Sequence, residues 1–345
     1  MSRGRRGFAS DNAATVHPAV LEAIAGANVG HAFGYGHDEY SAAVEGRVAA
    51  ALGDPQAGVY FVFNGTGANV LSLRAALAPW QGAIVSEHAH LHTDEVGAPE
   101  AVAGSKLLVA PAVDGKLTVD AIQPLLARPA DEHFVRPGLV SLTQSTELGT
   151  LYSLQELEAI SEAAHAAGAL VHIDGARLAN AAAALGVGLA DVVRGADIVS
   201  FGATKNGALG CEAVVVLNPR LREGMLHLRK QTLQLASKMR FLAAQFDALL
   251  HDDLWRTNAA HANAMAARLA QALRGIEGVR ITREPSVNAV FAVISAQARE
   301  RLLERFDFYA WDEATGEVRW MCAWDTTEAD IEEFATAVRE AVAVA

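Results

Sequence analysis

The chain has 345 residues, of which 51 % are hydrophobic and 20 % charged, and its net charge is −12. That is a globular composition with enough chain for a large domain and a smaller one, and the acidic balance argues against a nucleic-acid or anionic-membrane partner, which would need a basic face. The two cysteines, Cys211 and Cys322, fit neither a CxxC nor a zinc spacing and read as buried thiols of a reducing compartment.

The basic start, residues 1–7, is followed by no apolar stretch and does not read as a secretory signal. The longest uncharged run, 55–73, is cut by Asn64-Gly65-Thr66-Gly67, so no segment is expected to span a membrane and the expected location is the cytoplasm.

Residues 8–37 read as an arm, a helix opened by Pro18, and a glycine-rich loop over 26–36. Asp38 is placed to cap a helix on which Tyr40, Val44, Val48 and Leu52 recur on one face, and Gly53 ends it. From Gly58 the pattern alternates. Strands are predicted at 59–63, 83–86, 107–109, 139–143, 169–173, 196–201 and 211–217. Between them come helices at 68–77 and 117–126, one from the capping box Ser153-Leu-Gln-Glu156 to near Gly168, and an alanine-rich one after Ile173. The chain then reads as helical from 220 to about 250 and again from 253 to 274.

Repeated βαβ units predict an α/β fold: a large domain whose mostly parallel, seven-stranded-type sheet is sandwiched by helices. The last part alternates differently, with strands at 289–294, 306–311 and 318–324 around a turn at 314–317, and a closing helix at 327–342. It predicts a small C-terminal α+β domain. The expected division is an arm and helix over 1–37, a large domain over 38–255 and a small domain over 256–345.

Ligands of open α/β sheets bind beyond the carboxyl ends of the strands, so the residues just after each strand carry the chemical information. The stretch 195–210 ends a strand at Gly202 and then presents Lys205 among small residues. An amine so framed suits a Schiff base with a flat cofactor. Asn64-Gly-Thr-Gly-Ala-Asn69 is a glycine-rich turn entering a helix, able to offer N–H groups to a phosphate. Glu87-His-Ala-His-Leu-His-Thr-Asp-Glu95 carries His88, His90 and His92 at alternate positions, open either to a metal on one strand face or to one imidazole stacked over a ring. Asp174-Gly-Ala-Arg177 places a carboxylate able to pair with a protonated pyridine nitrogen and an arginine able to hold an anion. Together these are the parts a protein supplies to pyridoxal phosphate.

His172-Ile-Asp-Gly-Ala-Arg-Leu-Ala-Asn180 and Ser200-Phe-Gly-Ala-Thr-Lys-Asn-Gly207 resemble the low-specificity L-threonine aldolases, pyridoxal-phosphate enzymes of the aspartate-aminotransferase type. The resemblance extends to Ser10-Asp11, the loop Gly34-Tyr35-Gly36, the turn Gly65-Thr66, the segment 89–97 and Val318-Arg-Trp320. It implies the type I pyridoxal-phosphate transferase fold and cleavage of L-threonine, L-allo-threonine or relatives such as phenylserine to glycine and an aldehyde.

It also implies roles. Lys205 would carry the cofactor as a Schiff base, Asp174 would meet the ring nitrogen, and His90 would stack on the ring and act as base or position a water. Gly65 and Thr66 would hold the phosphate, helped by a basic side chain from 229–238, with Lys238 as the candidate. Ser10, Tyr35, Arg177 and Arg319 would bind the amino-acid substrate, Arg177 also lying near the cofactor. The family's habit implies a homodimer or homotetramer with sites at the dimer interface.

Three departures stand out. Many relatives carry a histidine in an Asn-Thr-His segment, where this chain reads Gln144-Ser-Thr-Glu147; Gly202 stands in place of a cysteine, and Asn206 follows the lysine. The last two imply a divergent branch with a bulkier substrate. The competing readings are another reaction on the same scaffold (racemisation, β-elimination or transamination), a binding protein without catalysis, and a zinc hydrolase using His88, His90 and His92.

Overall fold

The runs Ile198–Gly202 and Glu212–Val216 are buried at every position, as strands are when helices cover both faces of a sheet. In the computed structural model, which describes residues 7–344, they are two strands of a seven-stranded sheet. Residues 1–6 of the basic start lie outside the described residues. The strands are β1 (Gly58–Val62), β2 (Gln81–Ser86), β3 (Lys106–Ala110), β4 (Arg136–Thr143), β5 (Leu170–Gly175), β6 (Ile198–Gly202) and β7 (Glu212–Val216). Their order across the sheet is β1-β7-β6-β5-β4-β2-β3, and only β7 runs against its neighbours.

The helices are α1 (Pro18–Gly26), α2 (Glu39–Ala51), α3 (Gly65–Ala76), α4 (His90–Thr93), α5 (Val119–Leu126), α6 (Leu154–Ala166), α7 (Leu178–Leu185), α8 (Met225–Gln231), α9 (Arg240–Leu250) and α10 (Leu254–Leu273). Local chemistry fixes their starts. Asp38 Oδ1 accepts the Ser41 N–H at 2.8 Å, and Ser153 and Glu156 form the reciprocal capping box. Side-chain alternation divides the core. Phe61, Ile173, Phe201 and Val215 pack towards α2, α7 and α9, whereas Val62, Ile198, Val214 and Val216 pack with Leu71 of α3 and Met225 of α8.

The C-terminal region forms an antiparallel sheet of β8 (Arg280–Arg283), β9 (Ala289–Val293), β10 (Tyr309–Asp312) and β11 (Glu317–Met321), ordered β10-β11-β9-β8, with α11 (Ala296–Leu303) and α12 (Glu328–Ala343). Its core is aromatic: Phe334 lies against Phe8, Phe306 and Trp320 at centroid distances of 4.3, 4.9 and 5.2 Å. Phe8 belongs to the N-terminal arm, whose backbone is bonded to this region through Phe8 N–H to Asp307 O (2.7 Å) and Met321 N–H to Phe8 O (2.8 Å).

Three expectations need correction. The helix expected over 220–250 is broken by the loop 232–239, where Leu233 adopts φ 63° and Gln234 Oε1 accepts the Phe63 N–H at 2.9 Å. The hydropathy pattern does not predict β8, whose sequence is Arg-Ile-Thr-Arg and which has no fully buried position, nor α11, where only Ala298 and Leu302 are buried. The histidines do not share a strand face either. His90–Thr93 is a helical turn, on which residues two apart point to opposite sides. Among the described residues no helix is long and apolar enough to cross a membrane.

Candidate active site

β6 ends where the chain passes close to the turn after β5. A Cβ at Gly202 would lie 2.6 Å from the Ala176 carbonyl oxygen, so only glycine fits without moving backbone. The following one-turn helix, Thr204–Asn206, carries Lys205. Three bonds hold that turn: Ala203 N–H to Glu212 Oε2 (2.7 Å), Cys211 N–H to Thr204 Oγ1 (3.1 Å) and Asn206 Nδ2 to the Trp255 carbonyl (2.9 Å). Gly202 and Asn206, which the sequence reads as marks of a divergent branch with a bulkier substrate, are both engaged in packing this turn.

The Lys205 amine itself has no hydrogen bond or ion pair among the described residues. Burial, and next the nearby Arg177 guanidinium, lower its pKa, against the opposing pull of Asp11, Asp174 and Glu212. Such an amine gives up its proton more readily than a solvated one and is correspondingly nucleophilic.

Asp174, near the end of β5, emerges on the α3 side of the sheet. Its Oδ2 accepts from Asn69 Nδ2 at 2.8 Å and its Oδ1 from the Ala176 N–H at 3.0 Å. The same Asn69 nitrogen donates to Glu95 Oε1 (2.8 Å), and Glu95 Oε1 lies 2.9 Å from His90 Nδ1. A continuous chain therefore runs from the carboxylate to the imidazole. The hydrogen bond to Glu95 raises the His90 pKa more than burial lowers it, with Asp174 adding to the rise. Beneath Asp174, His172 sits between Ser141 and Ser200, 2.9 Å from each hydroxyl, and burial lowers its pKa to about 4, so it stays neutral.

The two arginines expected from the sequence to bind substrate differ. Arg177 donates Nε and Nη2 to the two oxygens of Asp11, both at 2.7 Å, and Asn288 Nδ2 adds a third bond to Asp11 at 3.0 Å. Burial alone would raise the Asp11 pKa, but the charge and hydrogen bonds of Arg177 outweigh it and hold the carboxyl below its usual value. Arg319, on β11, makes among the described residues a single long hydrogen bond of 3.5 Å, to the Ala9 carbonyl, and lies over the Trp311 ring at 4.6 Å. Its Nε is buried without a partner, and burial together with Arg177 lowers its pKa to about 10. Ser10 adjoins this pair, with its Oγ 3.4 Å from Asp11 Oδ1.

At the start of α3, Asn64 Oδ1 caps the Gly67 N–H at 2.7 Å, and the amides of Gly65 and Thr66 remain without protein partners among the described residues. Nothing lies within 4 Å of a Cβ built on Gly65. An open helix N-terminus of this kind suits a phosphate. The residue from loop 232–239 that reaches this turn is Gln234, whose amide fills the space beside Gly67. Lys238 is exposed, and no hydrogen bond or ion pair joins it to Gly65 or Thr66. Tyr35, half exposed at φ 64°, is tied by its N–H to the Ser237 carbonyl at 2.9 Å and lies under the Lys230 ammonium.

The strand ends thus bring together Lys205, Asp174, His90 and Arg177, with Arg319 arriving from the small sheet. Sequence reasoning gives no role to Asp11, Asn69, Glu95, Glu212 or Gln234. Asn69 has a signal, being a polar residue inside a wholly buried run of α3; Asp11 and Gln234 act through partners far along the chain. The set fits a flat, phosphorylated cation and an amino-acid carboxylate beside an unpaired amine.

The family described as Beta-eliminating lyase matches residues 7–297. The chain is 40 % identical over 336 residues to the low specificity L-threonine aldolase of Pseudomonas sp., covering 96 % of each protein, and 41 % identical over the same length to that of Pseudomonas aeruginosa. The solved structure of Leishmania major threonine aldolase is similar with a TM-score of 0.92 at 34 % identity, covering 98 % of this chain and 99 % of that one.

Proposed function

Because the chain belongs to the beta-eliminating lyases and, among them, to the low-specificity L-threonine aldolase family, we propose that it cleaves L-threonine, L-allo-threonine or related β-hydroxy-α-amino acids to glycine and an aldehyde, with pyridoxal phosphate as cofactor. The observation that carries the reading is Lys205, an amine with a lowered pKa and no hydrogen-bond partner among the described residues, beside the carboxylate of Asp174.

Pyridoxal phosphate, when bound, supplies the electron sink that lets the Cα–Cβ bond break. The residues that would hold it are the Gly65 and Thr66 amides at its phosphate, Asp174 at its ring nitrogen, His90 against its face, Arg177 beside it and Lys205 as its covalent anchor. Asn69 orients Asp174 through its Nδ2. Glu95 fixes the His90 ring through Nδ1. Arg319 and Ser10 bind the substrate carboxylate, with Arg177 supporting them through Asp11.

The reading extends to assembly and location. Phe33 and Leu233 are 83 % and 84 % exposed, apolar surface that a homodimer or homotetramer would cover, and Lys238 and Tyr35 on the same loops would then serve a site at the subunit interface. Cys211 and Cys322 are buried free thiols, in keeping with a cytoplasmic enzyme.

The test is aldehyde release from L-threonine, L-allo-threonine and phenylserine by the cofactor-loaded protein and its Lys205→Ala variant. A yellow protein that frees no aldehyde would refute the substrate class, and activity surviving in Lys205→Ala would refute the role of the lysine.

A further inference from the structure

β4 lies between β2 and β5, so the turn that follows it stands between His90 and Asp174. That turn is firmly held. Gln144 N–H donates to the Asp174 carbonyl at 2.9 Å, the Gln144 side chain bonds both backbone groups of Tyr152 at 2.9 and 3.1 Å, and Gly149 N–H closes on the Thr146 carbonyl at 2.9 Å. It delivers Glu147 into the cleft. Glu147 Oε1 accepts the His90 backbone N–H at 2.8 Å and the Thr143 hydroxyl at 2.9 Å, while Oε2 is buried with no partner.

A buried carboxylate oxygen left without a partner is costly and calls for a ligand to complete it. The other acids near the lysine are more fully engaged, Glu212 through the Ala203 N–H at 2.7 Å. Asp174 and Asp11 use both oxygens. Glu95 also has a bare Oε2, but the residue is 4 % exposed and its other oxygen is shared by His90 Nδ1 and Asn69 Nδ2, whereas Glu147 as a residue is partly exposed. His90 has its Nδ1 engaged by Glu95, a bond that raises its pKa.

Resting on the aldolase reading, we propose that Glu147 is the catalytic residue that takes the proton from the substrate's β-hydroxyl group. The O–H bond breaks as the Cβ carbonyl forms and the Cα–Cβ bond opens; the proton passes to Glu147 Oε2, and the bonding pair stays with Cα. Glycine leaves after Cα gains a proton, so the hydroxyl proton lost is balanced. The groups acting on Glu147 are consistent with this. Burial raises its carboxyl to about 7, Asp174 adds to the rise, and the His90 and Thr143 bonds oppose it; its charge is felt in turn by Arg177 and Tyr152. A carboxyl poised near neutrality both takes up and releases a proton.

The experiment uses the holoenzyme and Glu147→Gln, which keeps an acceptor for the His90 N–H. Three readouts are needed: aldehyde release against pH, exchange of the glycine α-proton in deuterium oxide, which involves no hydroxyl, and the carboxyl infrared band of the cofactor-free protein. The expected result is a ~10²–10⁴-fold loss of aldehyde release, disappearance of its acid limb near pH 7, glycine exchange within about threefold of wild type, and loss of one carboxyl band titrating near 7 in the wild-type-minus-variant spectrum. Aldehyde release within about threefold of wild type, with the acid limb intact, overturns the proposal. So does an equal fall in both reactions, which would make Glu147 a support for His90, or the lack of a difference band. Wild type that exchanges glycine yet frees no aldehyde would instead overturn the aldolase reading, and this role with it.

Discussion

Asp11 grips Arg177 through two parallel bonds of 2.7 Å, across a separation that spans half the chain. The pair neutralises Arg177 before any substrate arrives. Arg319 has no such carboxylate partner among the described residues, making a 3.5 Å bond to the Ala9 carbonyl and lying over the Tyr309 and Trp311 rings, so on the proposed reading its charge is the one left for a substrate carboxylate.

Arg319→Gln is therefore expected to raise KM for the amino-acid substrate by ~10–100-fold, the worth of a hydrogen bond to a charged group, with cofactor affinity unchanged. Spectroscopic titration with glycine, alongside cofactor titration, separates the two effects. Equal weakening of both would show that Arg319 supports the fold and not the substrate.

Gly202→Ala places a methyl group against backbone that has no freedom to move aside. A cost of roughly 1–3 kcal/mol in stability is expected, together with reduced turnover, since Ala176 precedes Arg177 and Lys205 lies in the next turn. Gly210→Ala, where nothing stands within 4 Å, is the control, expected to change stability by less than ~0.5 kcal/mol. Urea unfolding of the three proteins decides.

One nitrogen of Asn69 serves both Asp174 and Glu95. In Asn69→Ala each carboxylate loses a donor, so cofactor affinity should fall by ~5–100-fold. Cofactor titration followed by absorbance measures it. Unaltered affinity would mean that Asp174 needs no such support.

Glu212 gives a prediction in pH. Burial raises its carboxyl to about 7 from 4.5, so the folded protein binds this proton more tightly than the unfolded chain. The group costs nothing below pH 4.5, destabilises progressively as pH rises towards 7, and has a constant effect above that. Cofactor-free Glu212→Gln should match wild type near pH 4.5 and exceed it at pH 8, by an amount bounded at ~3 kcal/mol. The difference between their urea midpoints at the two pH values is the measurement, and a pH-independent difference would refute the raised carboxyl.

What the sequence makes legible is local. Lys205 and Asp174 each follow a buried apolar run, the helix starts are marked by Asp38 and Ser153, and Gly65-Thr66 announces an open helix end by its own composition. The illegible parts depend on distant pairing. Nothing near Asp11 indicates Arg177, and nothing near Gln234 indicates Phe63, because each bond exists only once the sheet has closed. The broken helix over 220–250 belongs here as well: its break serves Gln234's contact with the turn after β1 and leaves no trace in local periodicity. β8, with arginines at both ends and no fully buried position, offers no hydrophobic alternation to read.

The seating of the arm has a consequence for biosynthesis. Phe8 and Asp11 leave the ribosome at the beginning, but Asn288, Asp307 and Met321, to which they are bonded, are made near the end. The large sheet can close on a nascent chain while the carboxylate-gripping corner cannot form. Until the last strand and helix emerge, Phe8 has no core to enter and Arg319 is missing from the corner. An incomplete chain therefore already carries its lysine while the arginine proposed for the substrate carboxylate has yet to be made.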